Sequence, residues 1–329
     1  AMGTSSLAQH LAGLCETLAR GGPVGMPDAL AIRVNFGAAD FRAPALACGE
    51  IIRKLQGLIP RAPLHMPAVF SLLEGCRRVF PDLPTVLFFE TAFFARLPRR
   101  EFTYGIDKEL SDSLGLRRYG YHGLFHEAAC SFAEREQRSR RPQRSGRVLS
   151  ICLEPHPEIA AVLGHRPVLC TSGATPLEGI PGHTSCGELD PSIVLMIARK
   201  LKWGPEQINT VLTQQSGLLG LAGYPVMLDD VWALESEDLE PARAVLQGRI
   251  LSACGAGMAA MGGVDCIVFS GRFAMVGETL GPWLKNRLTF RGGNENRPPE
   301  CLCFTESLDH VIAEKTEAFL AEAGMKACA

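Results

Sequence analysis

The run Arg117-Arg118-Tyr119-Gly120-Tyr121-His122-Gly123-Leu124-Phe125-His126 gathers cations, aromatic rings and two histidines around two glycines. A histidine between glycines on a tight turn can approach an anionic group closely. Neighbouring arginines can add charge-assisted hydrogen bonds to a phosphate or carboxylate. The same run also suits a surface turn with a basic flank. A second place with chemistry in it is Ile32-Arg33-Val34-Asn35-Phe36-Gly37, where a lone arginine sits in an apolar stretch that ends in glycine.

The elements that must position these residues alternate. Short apolar runs of strand type lie at Ala29 to Val34, Thr85 to Phe89, Val148 to Leu153, Pro167 to Cys170 and Cys266 to Ser270. Longer segments at helical period lie at Ser6 to Arg20, Pro191 to Lys202, Pro241 to Met261 and Ser307 to Ala323. Such alternation predicts an α/β fold. Proline at 191, preceded by Asp190 as a cap, marks a helix start immediately after the Cys186-Gly187-Glu188-Leu189-Asp190 turn. The segment Glu134 to Arg147 holds six arginines among mostly polar residues, so it reads as an exposed excursion between a helix and the next strand.

Composition narrows the function classes. At 329 residues, 47% hydrophobic, the chain is long enough for two cored lobes. A formal net charge of −2 gives no global attraction for nucleic acid or membrane, so neither is expected as a partner. With no signal-type N-terminus and no apolar run of about 18 residues, a cytoplasmic protein is expected. The 12 cysteines are scattered without a Cys-x-x-Cys pair, which favours buried free thiols over structural zinc.

The Arg117–His126 run resembles the Arg-Lys/Arg-Tyr-Gly-Phe-His-Gly-Thr-Ser-His signature of acetate kinases. Further motifs follow in family order: Ala62-Pro63-Leu64-His65-Met66-Pro67, Phe89-Glu90-Thr91-Ala92-Phe93-Phe94, Thr175-Pro176-Leu177-Glu178-Gly179, Asp190-Pro191 and Ser216-Gly217-Leu218-Leu219-Gly220. The resemblance implies a two-lobed, ribonuclease-H-like fold of the actin-like ATPase type. Residues 1–92 plus roughly 309–329 would form a shortened, incomplete first lobe, and 93–308 the second. It also implies ATP and Mg2+ as cofactors, a homodimer, and transfer of the γ-phosphoryl group to a short carboxylate to give an acyl phosphate. That chemistry depends on in-line positioning and on cations around the equatorial oxygens.

By resemblance, Arg33, His122 and Glu90 are the catalytic candidates. Arg33 would face the carboxylate, His122 the migrating phosphoryl, and Glu90 would replace an aspartate near the magnesium. Residues 35–42 also fit, by spacing, the family's phosphate loop, but the 29 positions from Arg33 to Ala62 match the arginine placement. Leu64, Tyr121 and Pro176 would line the acyl pocket. Asn35, where the family has valine, would favour a larger or hydroxylated acid. His126 matches a second family histidine with a packing or capping role open to it.

The departures lie on the nucleotide side. The family's His-Leu-Gly-Asn-Gly is here Cys152-Leu153-Glu154-Pro155-His156, and its Gly-Gly-Ile-Gly-Glu-Asn is Gly271-Arg272-Phe273-Ala274-Met275-Val276. Proline removes an N–H, and Glu154 sets a negative charge near the phosphates. The catalytic arginine of Met-Gly-Thr-Arg aligns with Ser185 in Gly182-His183-Thr184-Ser185. His183 and Gly271 are the remaining cofactor-side candidates, with His183 or Arg272 placed to reach in for the missing arginine. Glu306 or Asp309 is the candidate magnesium ligand. These changes predict impaired or lost transfer. The alternatives are a catalytically inactive relative that binds a carboxylate, an acyl phosphate or a protein partner, and a dimerising scaffold.

Overall fold

The computed structural model describes residues 27–62, 66–140, 146–234, 236–288 and 298–324. In chain order the strands are β1 (Leu30–Val34), β2 (Ala45–Leu46), β3 (Thr85–Phe89), β4 (Arg147–Cys152), β5 (Glu158–Leu163), β6 (Arg166–Cys170), β7 (Cys266–Ser270) and β8 (Glu300–Cys303). The longer helices are α1 (Gly49–Gln56), α2 (Met66–Val79), α3 (Gly123–Arg140), α4 (Pro191–Leu201), α5 (Pro205–Gln214), α6 (Gly217–Ala222), α7 (Glu240–Met261), α8 (Gly277–Leu288) and α9 (Leu308–Glu322). The described residues fall into two compact units, one within Ala1–Ala92 and Glu306–Ala329, the other within Phe93–Thr305.

The first unit carries a three-stranded sheet in the order β1-β3-β2, with β1 parallel and β2 antiparallel to β3. All five residues of β3, Thr85 to Phe89, are buried, as a continuous apolar run requires. α2 and α9 both pack against β1. The register pairs Val34 with Phe89, so Arg33 and Glu90 come off the ends of adjacent parallel strands. The helix expected at Ser6 to Arg20 lies outside the described residues, as does Leu64.

The second unit is built on a five-stranded sheet, β6-β5-β4-β7-β8. β4, β5 and β6 run antiparallel in sequence, and β4, β7 and β8 are parallel. α3 packs on β4 and β7, and α7 packs on β5. Leu246, Ile250 and Cys254 of α7 are fully buried with Leu149, Ile151, Ile159 and Phe269 of the sheet. Each such aliphatic side chain stabilises by roughly 1.5–3 kcal/mol when fully buried. The segment Glu237–Met261 has the length and composition of a membrane span. Here its buried stripe closes the core of this unit.

Asp190 caps α4 as its place before the proline predicts, its Oδ1 accepting from the Ser192 N–H at 2.8 Å. Six cysteines, at 76, 130, 152, 170, 254 and 266, are buried as free thiols. One expectation needs correcting. The polar segment after Glu134 is not an excursion at its start, because α3 runs on to Arg140. Arg and Glu are good helix formers, and Glu134 and Arg138 pair one turn apart.

Candidate functional site

In the first unit, Arg33 donates through Nε to Glu90 Oε1. Glu90 is 2% exposed and Arg33 37%. A carboxylate that deep needs a cation, and the Arg33 guanidinium supplies one. The pair ties the Arg33 side chain to the end of β3. The Gly37 N–H donates to Thr91 Oγ1 at 3.0 Å, which ties the chain after β1 to the chain after β3. Asn35 lies half-buried between these two ties.

In the second unit the glycine-rich run forms a loop into the N-terminus of α3. Gly120 has φ +68°, and a Cβ there would lie 2.3 Å from the Phe94 ring, so both conformation and space require glycine. Beyond it, two backbone donors and a histidine converge on Glu158, the first residue of β5. The Tyr121 N–H lies 3.1 Å from both of its oxygens, the His122 N–H donates at 2.6 Å, and His126 Nε2 sits 3.5 Å away. His126 and Glu158 are both 0% exposed. Burial drives the Glu158 carboxyl upward, but the hydrogen bond and positive charge of His126, with His122, outweigh it and hold the group at about 2. His126 Nδ1 pairs with Ser150 Oγ at 2.8 Å, and its ring packs against Phe93 and Phe94. Its role is thus to hold the loop.

His122 itself is half-buried, and its Nε2 donates to the carbonyl oxygen of His156 at 2.9 Å. The flanking arginines are used by the protein rather than offered to a ligand. Arg118 donates to the carbonyls of Cys170, Thr171 and Ser172 and pairs with Glu178 at 2.5 Å. Arg117 lies 4.1 Å over the Phe102 ring. Tyr121 OH donates to the Ala174 carbonyl at 2.7 Å, which brings it to the loop that carries half-buried Pro176.

At the tips of β4 and β7 the chain is closed on itself. Glu154 accepts from the Arg272 N–H at 2.7 Å and faces its guanidinium at 3.4 Å. Gly271, with φ +85°, makes the turn between them. His183 Nε2 accepts from the Leu228 N–H at 3.2 Å, and its ring lies against Phe273. Burial lowers its pKa, aided by the charge of Arg272, against Asp229 and Glu154. Neither His183 nor Arg272 is thus a spare cation of the kind expected from the missing arginine.

With the geometry in place, comparison with known proteins identifies the lineage. The Acetokinase family profile matches residues 26–280. This chain belongs to the acetokinase family. It is 35% identical over 280 residues to an acetate kinase of Clavibacter sepedonicus, covering 83% of this chain and 69% of the relative. An acetate kinase of Syntrophobacter fumaroxidans is 34% identical over 76% of this chain and 60% of its own length. Among solved structures, a propionate kinase of Francisella tularensis subsp. tularensis SCHU S4 has a TM-score of 0.76 at 26% identity, over 87% of this chain and 78% of that one. An acetate kinase of Porphyromonas gingivalis has a TM-score of 0.81 at 24% identity, over 94% and 84%, which bears out the actin-like, two-lobed α/β fold.

Within the acetokinase frame, the expected residues separate by unit. Arg33 and Glu90 are brought together in the first, and Tyr121 and His122 share Glu158 in the second. Glu306 lies in the first unit with His310 and Glu314, their ligand atoms within 4.8 Å of one another, all exposed. Asp309 is not part of that group. Its N–H is 3.3 Å from Ser307 Oγ, the cap of α9. Sequence reasoning missed Glu158. The signal was there: one charge opening the otherwise apolar Glu-Ile-Ala-Ala-Val-Leu run.

Proposed function

We propose that this acetokinase-family chain recognises a short carboxylate and its acyl phosphate, and that its ATP-dependent phosphoryl transfer is impaired or lost. The observation that carries the reading is Glu154. Its carboxylate stands in the Cys152–His156 turn, where the resemblance puts glycines that bring the backbone to the nucleotide phosphates, and it accepts from the Arg272 N–H of the neighbouring turn. An anion already bound there repels another, and Pro155 beside it offers no N–H. Phe273, Ala274 and Val276 are buried in the turn that stands where the family has Gly-Gly-Ile-Gly-Glu-Asn. The residues present do not fit ATP.

The acid side is supported by intact supports. Arg33, paired with Glu90, is suited to a carboxylate or phosphoryl oxygen pair. The Tyr121–His122 backbone is anchored on Glu158. In this reading Tyr121 and Pro176 contribute to the acyl pocket from the second unit, in a homodimeric cytoplasmic protein. Dimerisation has support in α4, which buries none of its residues and exposes Ile193, Leu195, Met196 and Leu201.

Calorimetry with Mg-ATP and, separately, with acetyl phosphate tests the proposal, alongside hydroxamate detection of acyl phosphate over a panel of short acids. Acetyl phosphate binding without Mg-ATP binding is the expected result. Mg-ATP binding with turnover that is abolished in His122→Ala overturns it in favour of an active kinase. No binding of either ligand leaves the scaffold reading.

A further inference from the structure

Three turns of the second unit meet at His156. His122 Nε2 donates to its carbonyl oxygen at 2.9 Å, and Ser185 Oγ lies 2.8 Å from its Nδ1. The His183 N–H donates to the Pro155 carbonyl at 2.8 Å, which holds the neighbouring peptide. Gly182 makes this approach possible. A Cβ there would stand 2.5 Å from the Pro155 carbonyl oxygen, 2.6 Å from Ser185 Oγ and 3.1 Å from His156 Nδ1. Ser185 is 1% exposed, whereas His156 is half-buried, so a buried hydroxyl sets the ring of a more accessible imidazole.

A serine hydroxyl both donates and accepts. When it donates to Nδ1, the neutral ring carries its hydrogen on Nε2. When the ring is charged, Nδ1–H donates to the serine and Nε2–H is still present. In these two states Nε2 is a donor, and in the charged state the ring is a cation; in the neutral tautomer with its hydrogen on Nδ1 the serine accepts and Nε2 is an acceptor. Positions 156 and 185 are also where two separate family motifs are rewritten, one gaining a histidine and the other exchanging arginine for serine. In space the two rewritten positions form one pair.

We propose that His156, with its ring set by Ser185, is the binding residue for the phosphoryl end of an acyl phosphate or of inorganic phosphate in this protein, taking the place of the arginine expected at 185. The proposal rests on the acyl-phosphate reading above and adds the residue that carries it in the second unit. Ser185 is a positioning residue in this arrangement.

The test uses the full chain with acetyl phosphate and inorganic phosphate as probes. Calorimetry gives the affinity of the wild type, His156→Gln and Ser185→Ala. Two-dimensional 1H–15N spectra follow the imidazole nitrogens. His156→Gln keeps a hydrogen-bonding side chain and removes the charge, so affinity for both probes is expected to fall about 10- to 100-fold, the range of a charge-assisted hydrogen bond. Ser185→Ala is expected to lose less, about 3- to 10-fold, and to change the tautomer signature of the His156 nitrogens before any ligand is added. In the wild type the His156 signals must move as phosphate is added, a readout independent of whether the variants fold. Acetyl phosphate binding with unmoved His156 signals, or with equal affinity in folded His156→Gln, overturns this inference and leaves the acyl-phosphate reading standing. Absence of binding by either probe in the wild type overturns both.

Discussion

Two regions of the second unit were treated differently by the same fold. The Gly120–His126 loop keeps family-type residues and is anchored by buried groups from β4 and β5, namely Ser150 and Glu158. The tips of β4 and β7 carry rewritten residues, yet each new charge or ring there has a partner: Glu154 with Arg272, His156 with Ser185. The difference teaches that the loop is held by chemistry it cannot lose without unfolding. The tips, facing fewer buried constraints, could be rewritten in pairs.

The largest effect expected from breaking this comparison comes at Glu158. Glu158→Ala removes the acceptor of two backbone N–H groups and leaves His126 buried without its carboxylate. Breaking such a buried pair costs about 3–5 kcal/mol, read as a fall in the calorimetric unfolding midpoint. A loss below about 1 kcal/mol would show that the loop is not anchored there.

The acid limb gives the next effect. Glu158 is held at about 2 against an ordinary 4.5, a depressed carboxyl. Its contribution is fully present above 4.5 and is lost as pH falls from there toward 2, and by linkage it amounts to about 3 kcal/mol. Wild-type stability should therefore decline through that window. Glu158→Gln, which has no such group, should show a flatter profile between pH 5 and 2 in urea titrations. Parallel profiles would break the argument.

Gly120→Ala ranks third. It forces a left-handed alanine and overlaps the Phe94 ring, together about 2–4 kcal/mol. Gly223→Ala serves as the control, since its φ of +78° imposes the strain while nothing lies within 4 Å of the new Cβ. Equal losses at the two sites would reduce Gly120 to a conformational requirement alone.

Legibility in the sequence follows the same division. The buried strands β3 and β7 show as apolar runs at their true limits, because a strand covered on both faces leaves no room for polar residues. β5 escapes notice, since it opens on a charge whose explaining partner, His126, is remote in the chain. β8 is short and half-buried, with no period to read. The polar end of α3 is legible as polar but not as helical, since pairing one turn apart leaves no apolar signature. Arg33 and Glu90 were named as neighbours of one site through resemblance. Their direct pairing needed the parallel register of β1 with β3. The Glu154–Arg272 and His156–Ser185 pairs are not legible at all, since each joins two turns that only the strand order β4-β7 or the Gly182 turn brings together.

The smallest expected change in stability is the one that most sharpens the contrast. Glu154 is 12% exposed, but its partner Arg272 is 60% exposed, so the ion pair is screened and is worth at most about 1 kcal/mol. Glu154→Ala should thus leave the unfolding midpoint nearly unchanged. Its consequence lies in ligand binding. The substitution removes the carboxylate from the Arg272 N–H and releases a guanidinium at the same turn, so two donors for a phosphate appear where an anion stood. Weak Mg-ATP binding, absent in the wild type, should become measurable by calorimetry at millimolar nucleotide. If it does, the strand tips were closed to nucleotide by a single self-supplied anion. If Glu154→Ala binds no better while Glu154→Ala with Pro155→Asn does, the missing N–H decides instead. Failure of both would move the cause to the buried Phe273–Val276 turn.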